Sequence, residues 1–270
     1  MKKSKSLLSS VIAFLVSLAV IAPFALIILN SFKNKKEAAE MNISLPTQWN
    51  IIENYKEVFE TGLPRAFVNS CIVTILSVTL IITLSALAAF ILQRRGTKLT
   101  QRLTTLFIVG LVIPGQMIPT YIICNYLHLT SYFGCALVIT AANLPLGIFM
   151  YLGYLKSIPR EIDEAAIIDG CGTLSLFRRV VFPLLKPMTM TLFVLTFMSI
   201  WNDFGTTIYF LNSPKNYTLT LTIYNFFGTH ASDWNLVFAD VVCVSLPVII
   251  LFFCQQKNIM SGMTSGAVKG

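Results

Sequence analysis

The chain has 270 residues, of which 55% are hydrophobic and only 12% are charged. A soluble domain carries roughly twice that share of charged residues, so the composition excludes a soluble protein and predicts an all-α membrane protein with room for about six spans. The formal net charge of +8 does not indicate nucleic acid binding, because the basic residues lie in small groups beside apolar runs without interleaved aromatic residues.

Span 1 is predicted at residues 7–29. Three lysines precede this apolar run, which is longer than the apolar core of a signal peptide, so we interpret it as a retained span with a kink at Pro23. A polar stretch follows, and its last part has apolar residues at helical spacing, which predicts an amphipathic helix lying flat on the outer membrane surface. The residues of this spacing are Ile51, Tyr55, Val58 and Phe59.

Span 2 is predicted at residues 67–92, within a stretch that has no charged residue between Arg65 and Arg94. A tight basic group follows it and is expected to face the cytoplasm. This group consists of Arg94, Arg95, Lys98 and Arg102.

Spans 3 and 4 are predicted at residues 104–126 and 134–155. The uncharged segment from Leu103 to Leu155 is too long for one crossing, so it must turn, and the residues from His128 to Gly134 supply the turn. Prolines in these spans free backbone carbonyls at membrane depth, which is either ordinary for membrane helices or a sign that they line a pathway. The prolines are Pro114, Pro119 and Pro145.

Spans 5 and 6 are predicted at residues 188–211 and 238–255. Asp203, which follows Asn202, lies in the outer third of span 5, where an acid is costly unless it faces water or a donor. It is therefore either a residue that lines a cavity or a helix cap near the interface. Threonine and leucine alternate in the loop between these spans, from which we expect a short extended segment.

Residues 157–187 form a charged interlude between two apolar stretches, and we interpret them as two short helices joined by a glycine turn. Ser157 is expected to cap the first helix, and Gly170 and Gly172 are expected to end it with positive φ angles. The second helix starts at Thr173 or Ser175 and has apolar residues at helical spacing on one face. These apolar residues are Leu174, Phe177, Val181 and Leu184.

The spacing within this interlude resembles that of a known family. Glu164-Ala165-Ala166, then Gly170, then nine residues and Val180-x-Phe182-Pro183 resemble the EAA loop of ABC importer permeases, with Val180 and Phe182 in place of the usual Ile and Leu. In that family the loop forms a coupling helix that docks into a cleft of a cytoplasmic ATPase, whereas periodicity alone would also fit a helix pair lying against the bundle. The resemblance implies ATPase-coupling roles for Glu161, Glu164, Ala165, Ala166, Asp169, Gly170, Phe177, Val180 and Pro183.

Further stretches resemble the carbohydrate branch of these importers, specifically the smaller permease subunit typified by the maltose transporter. They are Asn30-Ser31-Phe32-Lys33, Trp201-Asn202-Asp203-Phe204, Thr218-Leu219 and the terminal segment from Gly262 to Gly270. The resemblance implies that the outer loop at 212–236 approaches the sugar in the binding protein and that the tail at 261–270 reaches toward the ATPase dimer. Asn202 and Asp203 are the candidate residues of the substrate pathway.

The resemblance implies one permease domain, residues 1–270, with the type I importer fold, six spans and both termini in the cytoplasm of a bacterial cell. The positive-inside rule agrees, because this orientation places most lysines and arginines inside. The expected partners are a second homologous permease, a cytoplasmic ABC ATPase dimer, an extracytoplasmic sugar-binding protein, the sugar and the lipid bilayer, and not nucleic acid. No catalytic constellation, cofactor or metal site is expected, and no nucleotide-binding G-x-x-x-x-G-K-[ST] loop is present, so ATP hydrolysis must belong to a partner.

Two other classes of membrane protein are alternatives. An ion- or proton-coupled secondary transporter needs buried acids near the membrane midplane, and the two candidates, Asp203 and Asp240, both lie near the outer face. An intramembrane enzyme would need a Ser-His or acid pair within the spans, and the sequence has none there.

Overall fold

The structure, a computed structural model, describes the backbone of residues 2–227 and 233–267. These residues form α-helices, together with a π-helical turn at Leu176–Val181 and 3₁₀ helices at Pro214–Asn216 and Leu219–Phe226. The α-helices are α1 (Lys2–Ser31), α2 (Lys35–Ala38), α3 (Ile51–Glu60), α4 (Leu63–Arg94), α5 (Lys98–Gly110), α6 (Met117–Tyr126), α7 (Tyr132–Leu155), α8 (Glu161–Ile168), α9 (Thr173–Ser175), α10 (Phe182–Leu184), α11 (Lys186–Trp201), α12 (Gly205–Phe210) and α13 (Trp234–Ala267).

Among the described residues, four helices are long and apolar enough to cross a membrane. A fifth crossing is obtained if Thr173–Leu184 and Lys186–Trp201, which meet at an angle of 74°, are counted as one broken span. The four helical segments are Ile12–Ser31, Leu63–Arg94, Tyr132–Leu155 and Trp234–Gln256. The chain therefore has the composition of a multi-span helical membrane protein.

The segment predicted as span 3 is two short helices rather than one. α5 ends at Gly110, α6 begins at Met117, and Pro114 lies between them. Proline lacks the N–H that an α-helix requires and disfavours the α conformation of the residue before it, which explains the break. The expected turn between predicted spans 3 and 4 is present, since α6 ends at Tyr126 and α7 begins at Tyr132.

Two other predicted spans also have different limits in the structure. Predicted span 5 is interrupted between α11 and α12, at the residues from Asn202 to Phe204. Predicted span 6 is part of a longer helix, because α13 continues to Ala267 instead of giving way to a tail after residue 256. The last part of the tail, residues 268–270, lies outside the described residues.

The chain divides into two compact units. The first comprises Met1–Phe67 and Leu219–Pro247, and the second comprises Val68–Thr218 and Val248–Gly270. The second unit contains the interlude at residues 157–187 and the candidate pathway residues.

In the first unit, a buried lysine organises the segment that follows α1. Lys33 is 0% exposed, and its Nζ donates hydrogen bonds to Asn30 Oδ1 at 3.1 Å, Asn42 O at 2.8 Å and Asn42 Oδ1 at 2.7 Å. Asn54 of α3 donates to the carbonyls of Ser31 and Lys33, at 2.8 and 2.9 Å. These bonds hold α3 and the loop before it against the end of α1.

The amphipathic helix predicted near residue 51 is α3, in which Val58 is buried and Ile51 and Phe59 are exposed. The extended segment predicted from alternating threonine and leucine is wrong, because Leu219–Phe226 is a 3₁₀ helix. Leu219, Leu221 and Phe226 of this helix are buried, and Thr222 Oγ1 donates a hydrogen bond to the Asp240 carboxylate at 2.8 Å. The 3₁₀ helix allows both this burial and this hydrogen bond, and neither can be predicted from the alternation of threonine and leucine.

In the second unit, α4, α7 and α11 pack closely. A Cβ added to Gly147 of α7 would lie 2.7 Å from Ser85 Oγ of α4, so the absence of a side chain permits the contact. Tyr151 of α7 is fully buried, and its hydroxyl is 2.8 Å from Thr189 Oγ1 of α11. This packing forms the body that carries residues 157–187.

Candidate functional site

Helix α8 is the first helix of the interlude at residues 157–187. Three acidic residues lie in its first turn, where the helix dipole favours negative charge. They are Glu161, Asp163 and Glu164. Ser157 does not cap this helix as predicted, because α8 starts only at Glu161 and the Ser157 hydroxyl donates to the Tyr154 carbonyl at the end of α7.

Gly170 ends α8 as the sequence predicts. Its φ angle is +85°, and the N–H groups of Gly170 and Cys171 donate to the carbonyls of Ile167 and Ala166, both at 2.9 Å. This pair of bonds is the Schellman motif, which needs a residue with positive φ at this position. The same prediction for Gly172 is wrong, because Gly172 has a φ of −71° and precedes α9 in an extended conformation.

One side of α8 faces away from the protein and is apolar at its tip. Ile168 is 85% exposed and Leu174, at the start of the next helix, is 73% exposed. Most of the predicted coupling residues are also exposed. Those that are exposed are Glu161, Glu164, Ala165, Asp169, Gly170 and Pro183.

The opposite side packs against the rest of the second unit. Ala166, Phe177 and Val181 are buried, and Val180 is partly buried. The Phe177 ring lies 5.3 Å from that of Phe90 in α4, measured between centroids. The predicted coupling residues are thus divided between an exposed face and a buried face of the same loop.

The π-helical turn changes which residues of the second helix are buried. Ordinary helical spacing predicts one apolar face with Leu174 and Leu184 at its ends, but Leu174 is exposed and Leu184 is 40% exposed. Phe177 and Val181 are buried as the spacing predicts, whereas Leu176 and Leu185 are buried in place of Leu174 and Leu184. π turns inside helices are frequent at functional sites.

A charged contact fastens α8 to the end of α4. Arg94 Nε lies 2.6 Å from Asp163 Oδ2, with the two side chains only 12% and 11% exposed. The Nε–H group is not aligned for a hydrogen bond, and the hydrogen bond of the pair runs from Arg94 Nη2 to Asp163 Oδ1 at 3.4 Å. Sequence reasoning missed this pair, since both residues belong to charged groups that the sequence predicts to be solvated.

Arginines surround a cavity of about 330 Å³ at this contact. Its lining includes Arg94 and Arg95 at the end of α4, Arg160 at the start of α8, and Asp163 and Glu164 of α8. The Arg160 side chain also donates from Nη2 to the Gln93 carbonyl of α4, at 3.3 Å. The basic group that follows predicted span 2 and the interlude at residues 157–187 therefore meet here.

Asn202 and Asp203, the candidate pathway residues, lie at the interruption between α11 and α12. Asp203 Oδ1 accepts hydrogen bonds from the backbone N–H groups of Thr206 and Thr207, at 2.8 and 3.2 Å. Asn202 is exposed, and its Nδ2 donates to the Met198 carbonyl. Asp203 thus acts as a cap of α12, which was one of the two interpretations that the sequence left open.

The chain resembles known proteins over nearly its whole length. Residues 81–265 match the family described as binding-protein-dependent transport system inner membrane component. The chain is 38% identical over 266 residues to the melibiose/raffinose/stachyose import permease protein MelC of Bacillus subtilis, covering 97% of this chain and 96% of that protein. It is 36% identical over 261 residues to the probable starch degradation products transport system permease protein AmyC of Thermoanaerobacterium thermosulfurigenes, covering 96% and 95%.

A solved structure shows the same fold. It is the crystal structure of a bacterial ABC transporter involved in the import of the acidic polysaccharide alginate. The TM-score is 0.82 at 21% sequence identity, with 93% of this chain and 95% of that chain covered.

Proposed function

The chain belongs to the family of binding-protein-dependent transport system inner membrane components, and from this premise we propose that it is the membrane-spanning permease subunit of an ATP-driven sugar importer. It carries the sugar inward across the bacterial inner membrane and hydrolyses no ATP itself. The sugar class is supported by its relatives, which include an import permease for melibiose, raffinose and stachyose.

The observation that carries the proposal is the exposed apolar tip of α8. Ile167 and Ile168 at the end of α8 and Leu174 at the start of α9 are 58%, 85% and 73% exposed, and a group of exposed apolar side chains on a charged loop marks a surface that binds another protein. This tip lies within the segment that resembles the EAA loop. The cytoplasmic ATPase is the partner that covers it in our proposal.

The loop residues have separate roles in this proposal. Glu161, Glu164 and Asp169 supply negative charge around the tip and pair with cations of the ATPase. Ala165 and Gly170 leave room for its backbone to approach, while Ala166, Phe177 and Val181 hold the loop to the body. Val180 and Pro183 complete the loop at its second helix.

The proposed assembly contains a second homologous permease, an ATPase dimer and an extracytoplasmic binding protein that delivers the sugar. We infer six spans, with the segment at 104–126 crossing the membrane as the broken pair α5 and α6. Both termini and α8 face the cytoplasm in this arrangement, which agrees with the distribution of basic residues. Asn202 and Asp203 remain candidates for the substrate pathway.

Transport follows from a two-state equilibrium that the ATPase biases. When the ATPase dimer closes, it displaces the docked α8, and the displaced helix shifts the spans between inward-open and outward-open arrangements. The binding energy of ATP thereby reaches a sugar pathway to which no nucleotide binds.

The experiment measures sugar uptake by the whole transporter, with its ATPase and binding protein, in membrane vesicles loaded with ATP, and compares the native subunit with its variants. Uptake of labelled sugar should stop on ATP depletion and persist with an uncoupler. The change of Ile168 to Asp should reduce uptake at least tenfold and abolish copurification of the ATPase, because a charge replaces the apolar tip. Leu45 to Asp is the matched control, since Leu45 is also exposed but lies in the first unit.

Uptake that survives ATP depletion and collapses with an uncoupler would contradict the proposal and favour an ion- or proton-coupled secondary transporter. Normal copurification of the ATPase with the Ile168 variant would contradict the docking role of α8.

A further inference from the structure

We propose that the Arg94–Asp163 ion pair, together with the bond from Arg160 to Gln93, fastens α8 to the end of α4 so that both helices move as one body during transport. We call these four residues the clamp. The inference rests on the function proposed above, in which α8 is the helix that the ATPase displaces. It names Arg94 and Asp163 as positioning residues, which pass on a movement without touching sugar or nucleotide.

The first support for this inference is the burial of the ion pair. Both side chains are nearly nine-tenths buried, and Arg94 adds a contact from Nη2 to the Ile158 carbonyl at 3.5 Å. Removing either partner leaves the other as an unpaired buried charge, which costs far more than losing one partner of an ion pair on the surface. The pair therefore resists a movement of α8 away from α4.

The second support is the hydrogen bond from Arg160 to the C-terminal end of α4. Gln93 lies in the last turn of α4, where backbone carbonyls have no partner within the helix. Arg160 immediately precedes α8 and donates to this carbonyl at 3.3 Å, which also places its positive charge at the negative end of the α4 dipole. The clamp thus joins the start of α8 to the end of α4 by both charge and hydrogen bonds.

The third support is apolar packing on the same side of the loop. The rings of Phe90 in α4 and Phe177 in the π turn lie 5.3 Å apart, and Phe177 lies 5.7 Å from Phe182. α4 is therefore held at two points, by the clamp at α8 and by Phe177 at the second helix of the loop. A displacement of α8 reaches α4 directly, before it reaches the helices that follow residue 187.

The first experiment measures sugar uptake and ATP hydrolysis together in proteoliposomes that contain the complete transporter. Arg94→Gln and Asp163→Asn each break the ion pair, and we expect the sugar transported per ATP hydrolysed to fall at least tenfold while hydrolysis stays within about twofold. The charge-swapped double variant, Arg94→Asp with Asp163→Arg, should recover this ratio to within about threefold of the native value.

Arg95→Gln is the matched control. Arg95 lines the same cavity and is exposed, so its change removes the same charge from the same place without breaking the clamp. We expect a ratio within about twofold of the native value. An equal loss of ratio in the Arg95 variant, or an unchanged ratio in both ion-pair variants, would overturn the proposal.

The second experiment replaces the ion pair by a covalent link in the inserted protein. The six native cysteines are first changed to serine. Arg94→Cys and Asp163→Cys are then joined by a short bismaleimide, which adds one thiol to each of its two double bonds. Uptake should be low before the reaction and should return after it, because a fixed link does no harm to helices that move together.

Uptake that stays low or falls further after cross-linking would show that α4 and α8 must separate, and the clamp proposal would fail. A failure of this kind is distinguishable from a failure of the proposed function. In the first case the native transporter still depends on ATP and still binds its ATPase through Ile168, and in the second case it does not.

Discussion

Gly170 is the residue whose conformation most constrains the candidate site. Its φ of +85° is disfavoured for residues with a side chain, although no atom lies within 4 Å of the position where a Cβ would be. Gly170→Val should therefore strain the turn by roughly 1–2 kcal/mol without a clash, displace the tip of α8 and abolish sugar uptake. Uptake and the amount of inserted protein measure these two effects separately.

Gly172 supplies the control for that prediction. It has a φ of −71° and also has no atom within 4 Å of a Cβ position, so Gly172→Val should retain most of the uptake. Normal transport by the Gly170 variant would count against a role of this turn in coupling.

Asp203 allows the two interpretations of the interrupted span to be separated. Asp203→Asn keeps an oxygen that can accept the Thr206 and Thr207 hydrogen bonds, so a capping role predicts uptake within about threefold of the native protein. Asp203→Ala removes the cap and should reduce the free energy of unfolding by about 1 kcal/mol. Thermal unfolding and sugar uptake are the measurements. An asparagine variant that folds normally but does not transport would instead indicate that the charge serves the pathway.

Single residues also show which features could not be predicted from the sequence. The positive φ of Gly170 follows from a helix end followed by glycine, but two glycines lay in the window and only contacts around Cys171 select the first. Asp163 belongs to a run of acids that looks solvated, and the sequence gives no sign that Arg94 lies opposite it. Pairs that are distant in sequence are fixed by tertiary packing, which one sequence does not reveal.

Among the elements, the π turn at Leu176–Val181 is the one that periodicity could not predict. The pattern from Leu174 to Leu184 fits ordinary helical spacing, so nothing in it indicates an extra residue in one turn. The structure shows that extra residue by burying Leu185 and leaving Leu184 partly exposed. The break at Pro114 was not predicted either, since residues 104–126 were predicted as one span and Pro145 lies inside the continuous helix α7.

The approach of α4 and α7 gives a prediction about helix packing. A Cβ at position 147 would lie 2.7 Å from Ser85 Oγ and 2.8 Å from Ser85 Cβ, so Gly147→Ala forces the helices apart. We expect a loss of about 1–3 kcal/mol, which should appear as a lower thermal unfolding temperature in detergent. Adding Ser85→Gly should restore part of the loss, because it removes the atoms that clash.

Gly153 of the same helix is the control for this packing prediction. It has no atom within 4 Å of a Cβ position, so Gly153→Ala should leave the unfolding temperature unchanged or raise it slightly. An equal loss at both positions would mean that the close approach at Gly147 is not what limits stability.

For the whole molecule, hydropathy was sufficient to predict a helical membrane protein and the approximate places of its long helices. The resemblance to a loop of known spacing then predicted the family, and the comparisons show that family. Hydropathy could not predict whether a span is one continuous helix. An uncharged segment such as residues 104–126 has the same composition whether it forms one helix or two.

The orientation of the molecule gives a further prediction. In a cysteine-free chain, Ile168→Cys should react with a membrane-impermeant thiol reagent only from the cytoplasmic side, and Leu45→Cys only from the outer side. Both side chains are well exposed in the subunit without its ATPase, so in that subunit access should depend on the side of the membrane alone. Labelling of position 168 in intact cells would contradict the orientation derived from the basic residues.

Because the ammonium group of Lys33 is buried, the rate at which it reacts reports how often the loop around it opens. An acylating reagent added to the intact protein can modify Lys35 and Lys56, whose side chains are 60% and 70% exposed, while Lys33 is shielded by Asn30 and Asn42. Acylation of Lys33 therefore proceeds only as often as the neighbouring loop opens. Its rate, followed by mass spectrometry during turnover, would time how often this part of the subunit comes apart.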